Sequence, residues 1–416
     1  MTARSTTPAT ASAPSYLVPF IIVTALFGIF GFLTNLNSNL SKELEDIFQL
    51  NHAWSNLVTT AWFFAYLVFS VPSGKLIEAV GYKRTMVISL FVMVAGALLF
   101  IPAATTVSFP LFLTASFVLA TGVCALQTSA NPYVSILGSE QSAPARLTLA
   151  QAFNSLGSAI APLVVGHFIL TEHTSDKAAI AHTVLGPYIV IAVALFVLGF
   201  AVMFMHLPAI TSTRSFRAAA DGEALTGRSI WNYKHTVLGM VGIFFYVGVE
   251  IALAANAIQF FKTQGIDGKE TAALLASFYM FAIMVGRFAG TLVMKVVKAE
   301  KLLVGLGLFG VALLLVAMFT TGTAAVWSLV LCGLANSIMY PTIFALGIAE
   351  LGPMTSEGSG VITIGNVGGA VIPPLFGYLA VKLGGYQYAF ALPIVGYLFV
   401  AYYGLSGYKP TRAIKA

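Results

Sequence analysis

Long apolar runs broken by short polar segments are the first feature of this chain. Hydropathy with turn punctuation predicts twelve helices, at approximately 17–40, 52–80, 84–103, 107–138, 147–171, 184–207, 235–263, 270–296, 301–320, 325–352, 357–383 and 386–407. From Thr85 to Ser139, and again from Leu302 to Ala349, no Asp, Glu, Lys, Arg or His occurs. Each stretch holds two crossings, because a spanning helix needs about 20 apolar residues. Barrel strands would alternate in runs of about 10 and give a weak hydropathy signal, so a β-barrel is excluded. The one long polar connection, 208–234, divides the helices six and six. The predicted fold class is an all-α polytopic membrane protein, built as two six-helix halves.

Composition agrees and narrows the partners. Of 416 residues 58% are hydrophobic and 9% charged, whereas soluble domains carry about 25% charged residues. The 21 Lys and Arg against 15 Asp and Glu would suggest nucleic acid in a soluble domain; here they report sidedness. Only Lys42, Lys177, Lys262, Lys269 and Lys382 fall on one side, and the remaining Lys and Arg fall on the other. By the positive-inside rule both termini and the central loop are cytoplasmic, in an inner membrane. The expected division is a disordered cytoplasmic tail at 1–16, a half at 17–207, a cytoplasmic linker at 208–234, a half at 235–407 and a tail at 408–416. The Ser/Thr/Ala/Pro-rich start lacks the layout of a signal peptide. Cys124 and Cys332 lie within apolar runs, so no disulfide or metal framework is implied. No G-x-x-x-x-G-K-[ST] loop occurs and no His/Asp cluster falls in the helices. A transporter without cofactor is expected, not an enzyme.

The halves repeat each other. Pro132 and Gly138 in helix 4 have the spacing of Pro341 and Gly347 in helix 10, an offset of 209 residues. Asn154, Gly157 and Pro162 in helix 5 have the spacing of Asn366, Gly369 and Pro374 in helix 11, an offset of 212. Two parallel repeats imply a pseudo-twofold axis along the membrane normal, a site between them at mid-depth, and alternating access by rocking.

Gly74, Glu78, Gly81, Lys83 and Arg84 between helices 2 and 3 resemble the loop signature of the major facilitator superfamily, with Glu78 where an Asp is usual. Ala130-Asn131-Pro132-Tyr133, the run from Leu149 to Gly157, Phe245 to Glu250, Met339 to Phe344 and Gly368 to Pro373 sharpen the match. Together they resemble the fucose–galactose–glucose proton symporter family along helices 1 to 12. That resemblance implies transport of a hexose with a proton. In the fucose branch, a helix 1 Asp and a helix 4 Glu are associated with coupling and recognition; Ser38 and Gln127 stand there in this chain. Gln127 and Glu250 look more like the glucose/galactose branch.

Sugars need amide and hydroxyl partners, and the polar residues within the helices supply them. Asn35, Ser38 and Asn39 share one face of helix 1. Helix 4 carries Gln127 and Asn131, the latter before Pro132, whose ring frees a carbonyl one turn back. Gln151, Asn154, Ser155 and Ser158 lie on one side of helix 5; Asn256, Gln259, Asn336 and Asn366 could offer amides from the second half. Such groups must face helices or water, since lipid exposure costs several kcal/mol. Interhelical hydrogen bonding is the alternative role for each. Trp62, Phe63, Tyr66, Phe278 and Tyr279 are expected to pack rather than stack on sugar, and His167 and His206 to sit at the interface.

Glu250 is the acid expected near the bilayer centre, and an intramembrane carboxylate points to function. It is the proton-coupling candidate; a structural role, with Arg287 as partner, is the alternative. Arg287 itself is expected to reach toward the headgroups. On the cytoplasmic side Glu78, Arg84, Arg146 and Glu357 are gate candidates through ion pairing, although exposed pairs contribute only about 0–1 kcal/mol. The expectation is a monomeric secondary transporter of glucose, galactose or fucose, in a lipid bilayer, proton-coupled. Sodium-coupled or uncoupled transport is the alternative that Ser38 and Gln127 keep open.

Overall fold

A computed structural model describes residues 16–47, 52–168, 177–208, 229–266 and 268–410, with the side chains of 38–47, 52–56, 163–168, 177–184 and 269 excepted. Most of the predicted tails and linker, and the side chain of His167, lie outside what is described. The first half contains α1 (Leu17–Ile47), α2 (His52–Val80), α3 (Tyr82–Thr105), α4 (Phe109–Ile136), α5 (Ala143–Phe168) and α6 (Lys177–Phe204). The second contains α7 (Lys234–Thr263), α8 (Lys269–Val293), α9 (Ala299–Phe319), α10 (Thr323–Gly347), α11 (Gly352–Lys382) and α12 (Tyr386–Gly407). Among the described residues, all but α5 are long and apolar enough to cross a membrane. α5 is the helix with the four-residue polar stripe.

The departures from expectation are local. α1 runs on to Ile47 instead of ending near residue 40, and α6 begins at Lys177 instead of 184. Hydropathy marks where lipid ends, while helix-forming residues such as Lys42, Glu43 and Glu45 carry the backbone turn further. α10 is broken after Asn336 and resumes at Met339; α11 tightens to a 3₁₀ turn at Gly365–Val367. The break in α10 lies one turn before Pro341, which cannot donate to the carbonyl of Ser337. Pro132 likewise leaves the carbonyl of Thr128 in α4 without its intrahelical donor.

The two halves pack internally through equivalent helix pairs, α1 on α5 and α7 on α11. Glycines set the distance. A Cβ at Gly157 would lie 2.0 Å from the Gly28 carbonyl oxygen, and one at Gly368 would lie 1.9 Å from that of Phe244. Small residues at both contacts let backbones touch where lipid offers no hydrophobic drive.

Between the halves, contact gathers at one end. There α2 meets α11, α5 meets α8 and α10, and α4 meets α11. α2, α4, α8 and α10 finish at that end, while α5 and α11 start there. Among the described residues α1 and α7 have no comparable packing. The molecule is therefore closed at the end that carries the α2–α3 turn.

Close backbone approach predicts the outcome of two substitutions on one helix. Gly368→Ala overpacks the α7–α11 contact, at a cost of about 1–3 kcal/mol. Gly377→Ala meets nothing within 4 Å and gains helix propensity of about 1 kcal/mol. Thermal unfolding in detergent should show a lowered midpoint for the first and an unchanged or raised one for the second.

Candidate functional site

The closed end is built around the carbonyls that the repeat prolines release. Ser359 Oγ of α11 donates to the Thr128 carbonyl of α4 at 2.6 Å, across the halves. Arg287 Nε of α8 donates to the Ser337 carbonyl of α10 at 3.2 Å. The same guanidinium reaches α5, where Nη1 donates to the Gln151 carbonyl at 3.1 Å and to Ser155 Oγ at 2.5 Å. Arg287 is only 8% exposed. The expectation that it reaches for headgroups is corrected: three oxygen acceptors inside the bundle, one of them freed by Pro341, outweigh snorkelling.

Beside it runs a chain of side chains through the molecular axis. Gln151 Nε2 donates to Asn131 Oδ1 at 3.3 Å, and Asn131 Nδ2 donates to the Tyr340 hydroxyl at 3.3 Å. Asn131 and Tyr340 are 209 positions apart, the offset of the sequence repeat. Residues equivalent by a twofold can touch each other only at the axis, so this bond locates it. Tyr340 also interacts with Asn366 of α11, whose Nδ2 otherwise returns to the Thr363 carbonyl at 2.9 Å.

Glu250 lies midway along α7, within the Coulomb field of Arg287. The Tyr246 hydroxyl, one turn earlier, is buried with no partner of hydrogen-bond geometry, yet it couples electrostatically to both Glu250 and Arg287. On the far side of Glu250, Tyr279 donates to the Glu250 carbonyl at 3.3 Å and accepts from Asn336 Nδ2 at 2.7 Å. Asn336 Oδ1 has no donor. Gln127 is its repeat equivalent, 209 residues earlier, and Gln127 Oε1 lacks a donor too. Gln127 lines a small recess with Leu26, Phe27, Phe30, Leu126 and Ala130.

The remaining candidates divide clearly. Asn154 Nδ2 donates to the Phe27 carbonyl at 3.1 Å, and Ser158 to that of Gly31 at 3.1 Å, so these amide and hydroxyl donors tie α5 to α1. Asn256 bonds its own helix, at the Ala252 carbonyl, 2.9 Å. Gln259 is exposed. Asn35 has polar company, while the side chains of Ser38 and Asn39 lie outside those described. Phe278 stacks on Trp327, centroids 6.1 Å apart, on the exposed flank. Phe63 packs where a Cβ on Gly369 would stand, 2.4 Å from its ring.

Among the described residues, the gate candidates differ in what they hold. Arg146 was a gate candidate; instead its Nε donates to the Val134 carbonyl at 3.2 Å and Nη1 to that of Ser139 at 2.9 Å, with Nη2 on the carbonyl of Ser135. The last turn of α4 leaves carbonyls without intrahelical donors, and a neighbouring guanidinium satisfies them. Arg84 is exposed. Glu78 accepts from Ser356 Oγ of α11 at 3.3 Å, and Glu357 lies in the fields of both Glu78 and Lys75.

Comparison with known proteins follows this geometry. Residues 18–365 match the model of the Major Facilitator Superfamily. The chain belongs to that family. It is 40% identical to a glucose/galactose transporter of Brucella abortus over 96% of both chains. It is 31% identical to an L-fucose-proton symporter of Escherichia coli, covering 91% of this chain and 90% of that one. Its fold superposes on FucP, a transporter of the same superfamily solved in the outward conformation, with a TM-score of 0.83 and 28% identity over 95% and 99% of the two chains. It is thus an integral membrane transporter related to sugar transporters.

The α4 cap gives a direct check on Arg146. Arg146→Ala removes charged donors from two α4 carbonyls and that of Ser139, each worth about 1.5–3 kcal/mol when buried and less at this half-buried site. A lowered unfolding midpoint is expected, with the balance between the two faces of the transporter unchanged in a cysteine-accessibility assay.

Proposed function

We propose that this protein is a proton-coupled hexose symporter in which Glu250 carries the proton. The observation that carries this reading is a carboxylate midway along α7, set beside Arg287 and an amide–tyrosine chain that draws on both halves. An ion in that position is expensive unless it is paired or functional, at about 2.5–3.5 kcal/mol even on insertion scales. Gln127 Oε1 and Asn336 Oδ1 are buried acceptors without donors, and sugar hydroxyls are donors of the needed kind. Gln127, Asn131, Gln151, Asn336 and Asn366 are the side chains we assign to sugar recognition. Asn35, with Ser38 and Asn39 on the strength of their sequence positions alone, is assigned to the same role. Asn154 serves chiefly to hold α1. The relatives named as glucose/galactose transporter and L-fucose-proton symporter support hexose and proton as the pair.

The excess of Lys and Arg at the closed end supports placing it in the cytoplasm, with both termini. The conformation is then outward-facing, as FucP is described. Sugar would enter from outside, close the outer end by rocking of the halves, and leave inward.

A second reading, uncoupled transport, is favoured by one observation: Ser38 and Gln127 stand where related symporters carry acids. Proteoliposomes loaded with purified protein separate the two. With an imposed inward proton gradient, labelled glucose, galactose or fucose should accumulate several-fold above equilibrium, and Glu250→Gln should reduce this to equilibration. Accumulation that ignores the gradient would assign the protein to uncoupled or sodium-driven transport, the latter shown by dependence on a sodium gradient.

A further inference from the structure

Between Glu270 and Lys295, Arg287 is the only charged residue of α8. Its three hydrogen bonds all go to oxygens other than the carboxylate in whose field it lies. One bond, to the Ser337 carbonyl, stays within its own half. The other two, to the Gln151 carbonyl and Ser155 Oγ, cross to α5 and must break if this end opens.

We propose that Arg287 is a positioning residue that latches the closed end to α5 and releases it in competition between Glu250 and α5. Its consequence for coupling rests on the proton–hexose reading above; its conformational part does not. The anchor on Ser337 exists because Pro341 removes that carbonyl's intrahelical donor, so the guanidinium is held at its root while Nη1 is free to choose a partner. When Glu250 is neutral, Arg287 has only uncharged acceptors and keeps α5. When Glu250 is ionised, the carboxylate attracts the guanidinium and weakens the α5 bonds, because an ionised acceptor competes better for a guanidinium than a neutral carbonyl or hydroxyl does. The titratable groups around the pair are Tyr246 on α7, Tyr279 on α8, Cys332 and Tyr340 on α10, and Tyr397 on α12. α5 presents Gln151 and Ser155, which do not titrate. Glu250 is the carboxylic acid among them, and its charge is the one to which the guanidinium responds.

Sugar enters the same balance through Gln151. Its carbonyl holds Arg287 while its side chain holds Asn131, so a hydroxyl that displaces Asn131 from Gln151 disturbs the latched turn. A protonated, empty carrier therefore stays shut at this end, and the proton on the Glu250 carboxyl returns to the side it came from. An ionised, empty carrier is free to reset. The latch prevents a proton leak.

Spin labels at Gln141→Cys and Val296→Cys test this, both positions being exposed, one on each half at the closed end. Cys124 and Cys332 are buried and do not compete for label. In nanodiscs, pulsed EPR should show the short distance dominant at acidic pH and reduced at alkaline pH. Arg287→Gln should make it a minority at both, and Ser155→Ala should shift it in the same direction with the charge retained. Distance distributions unchanged by both variants would overturn the latch. In proteoliposomes without sugar, Arg287→Gln should raise proton influx by about tenfold, equivalent to about 1.4 kcal/mol; a leak equal to wild type would overturn its role in coupling. If wild type failed to accumulate sugar while the EPR shifts appeared, the latch would stand and the symport reading would fall.

Discussion

Two proline residues set the terms for this structure. A proline inside a helix leaves one carbonyl, four residues back, without its usual donor, and in a membrane no water stands by to replace it. Pro132 and Pro341 do this at equivalent places in α4 and α10, the helices that meet at the axis. The freed oxygens, on Thr128 and Ser337, are taken by Ser359 of α11 and Arg287 of α8. Closure of one end follows from that obligation: one acceptor is satisfied directly across the halves, and the other fixes a guanidinium that reaches across to α5.

The division of chemistry between halves also follows. The first half supplies neutral amides, Gln127, Asn131 and Gln151, and, among the described residues, no charge near the axis. The second half supplies the charges, Glu250 and Arg287, and the hydroxyls of Tyr246, Tyr279 and Tyr340. A binding surface for a neutral, hydroxyl-rich solute needs the first set. Linking its occupancy to an ion needs the second, and Gln151 is where both meet, with its side chain on Asn131 and its carbonyl on Arg287.

Much of this was legible in the chain. Twelve apolar segments, the six-and-six division and the Pro–Gly repeat together implied the fold class, and the repeat offset reappears as the Asn131–Tyr340 bond. The role of Arg287 was not legible, because a helix taken alone lets a long side chain snorkel; only the third dimension shows oxygens from α5 and α10 around it. A signal was nonetheless present: a single charged residue in α8 beyond its first turn, and a proline that leaves Ser337 needing a donor. The acceptors of Arg146 escaped for the opposite reason. Its charge suggested a salt bridge, whereas its guanidinium donates to open carbonyls at the end of α4. Helix ends at Ile47 and Lys177 escaped because hydropathy reads lipid, not backbone geometry.

The claim that freed carbonyls hold the halves together is tested most directly by a double-mutant cycle on Pro132 and Ser359, read as the closed population between spin labels on the two halves. Ser359→Ala in the native background should open the closed end. In a Pro132→Ala background, where the restored N–H satisfies Thr128, the same substitution should have little further effect, leaving an interaction energy of about 0.5–3 kcal/mol. If Ser359→Ala shifted the population equally with and without Pro132, the carbonyl would not be what joins the two halves, and the account would be wrong.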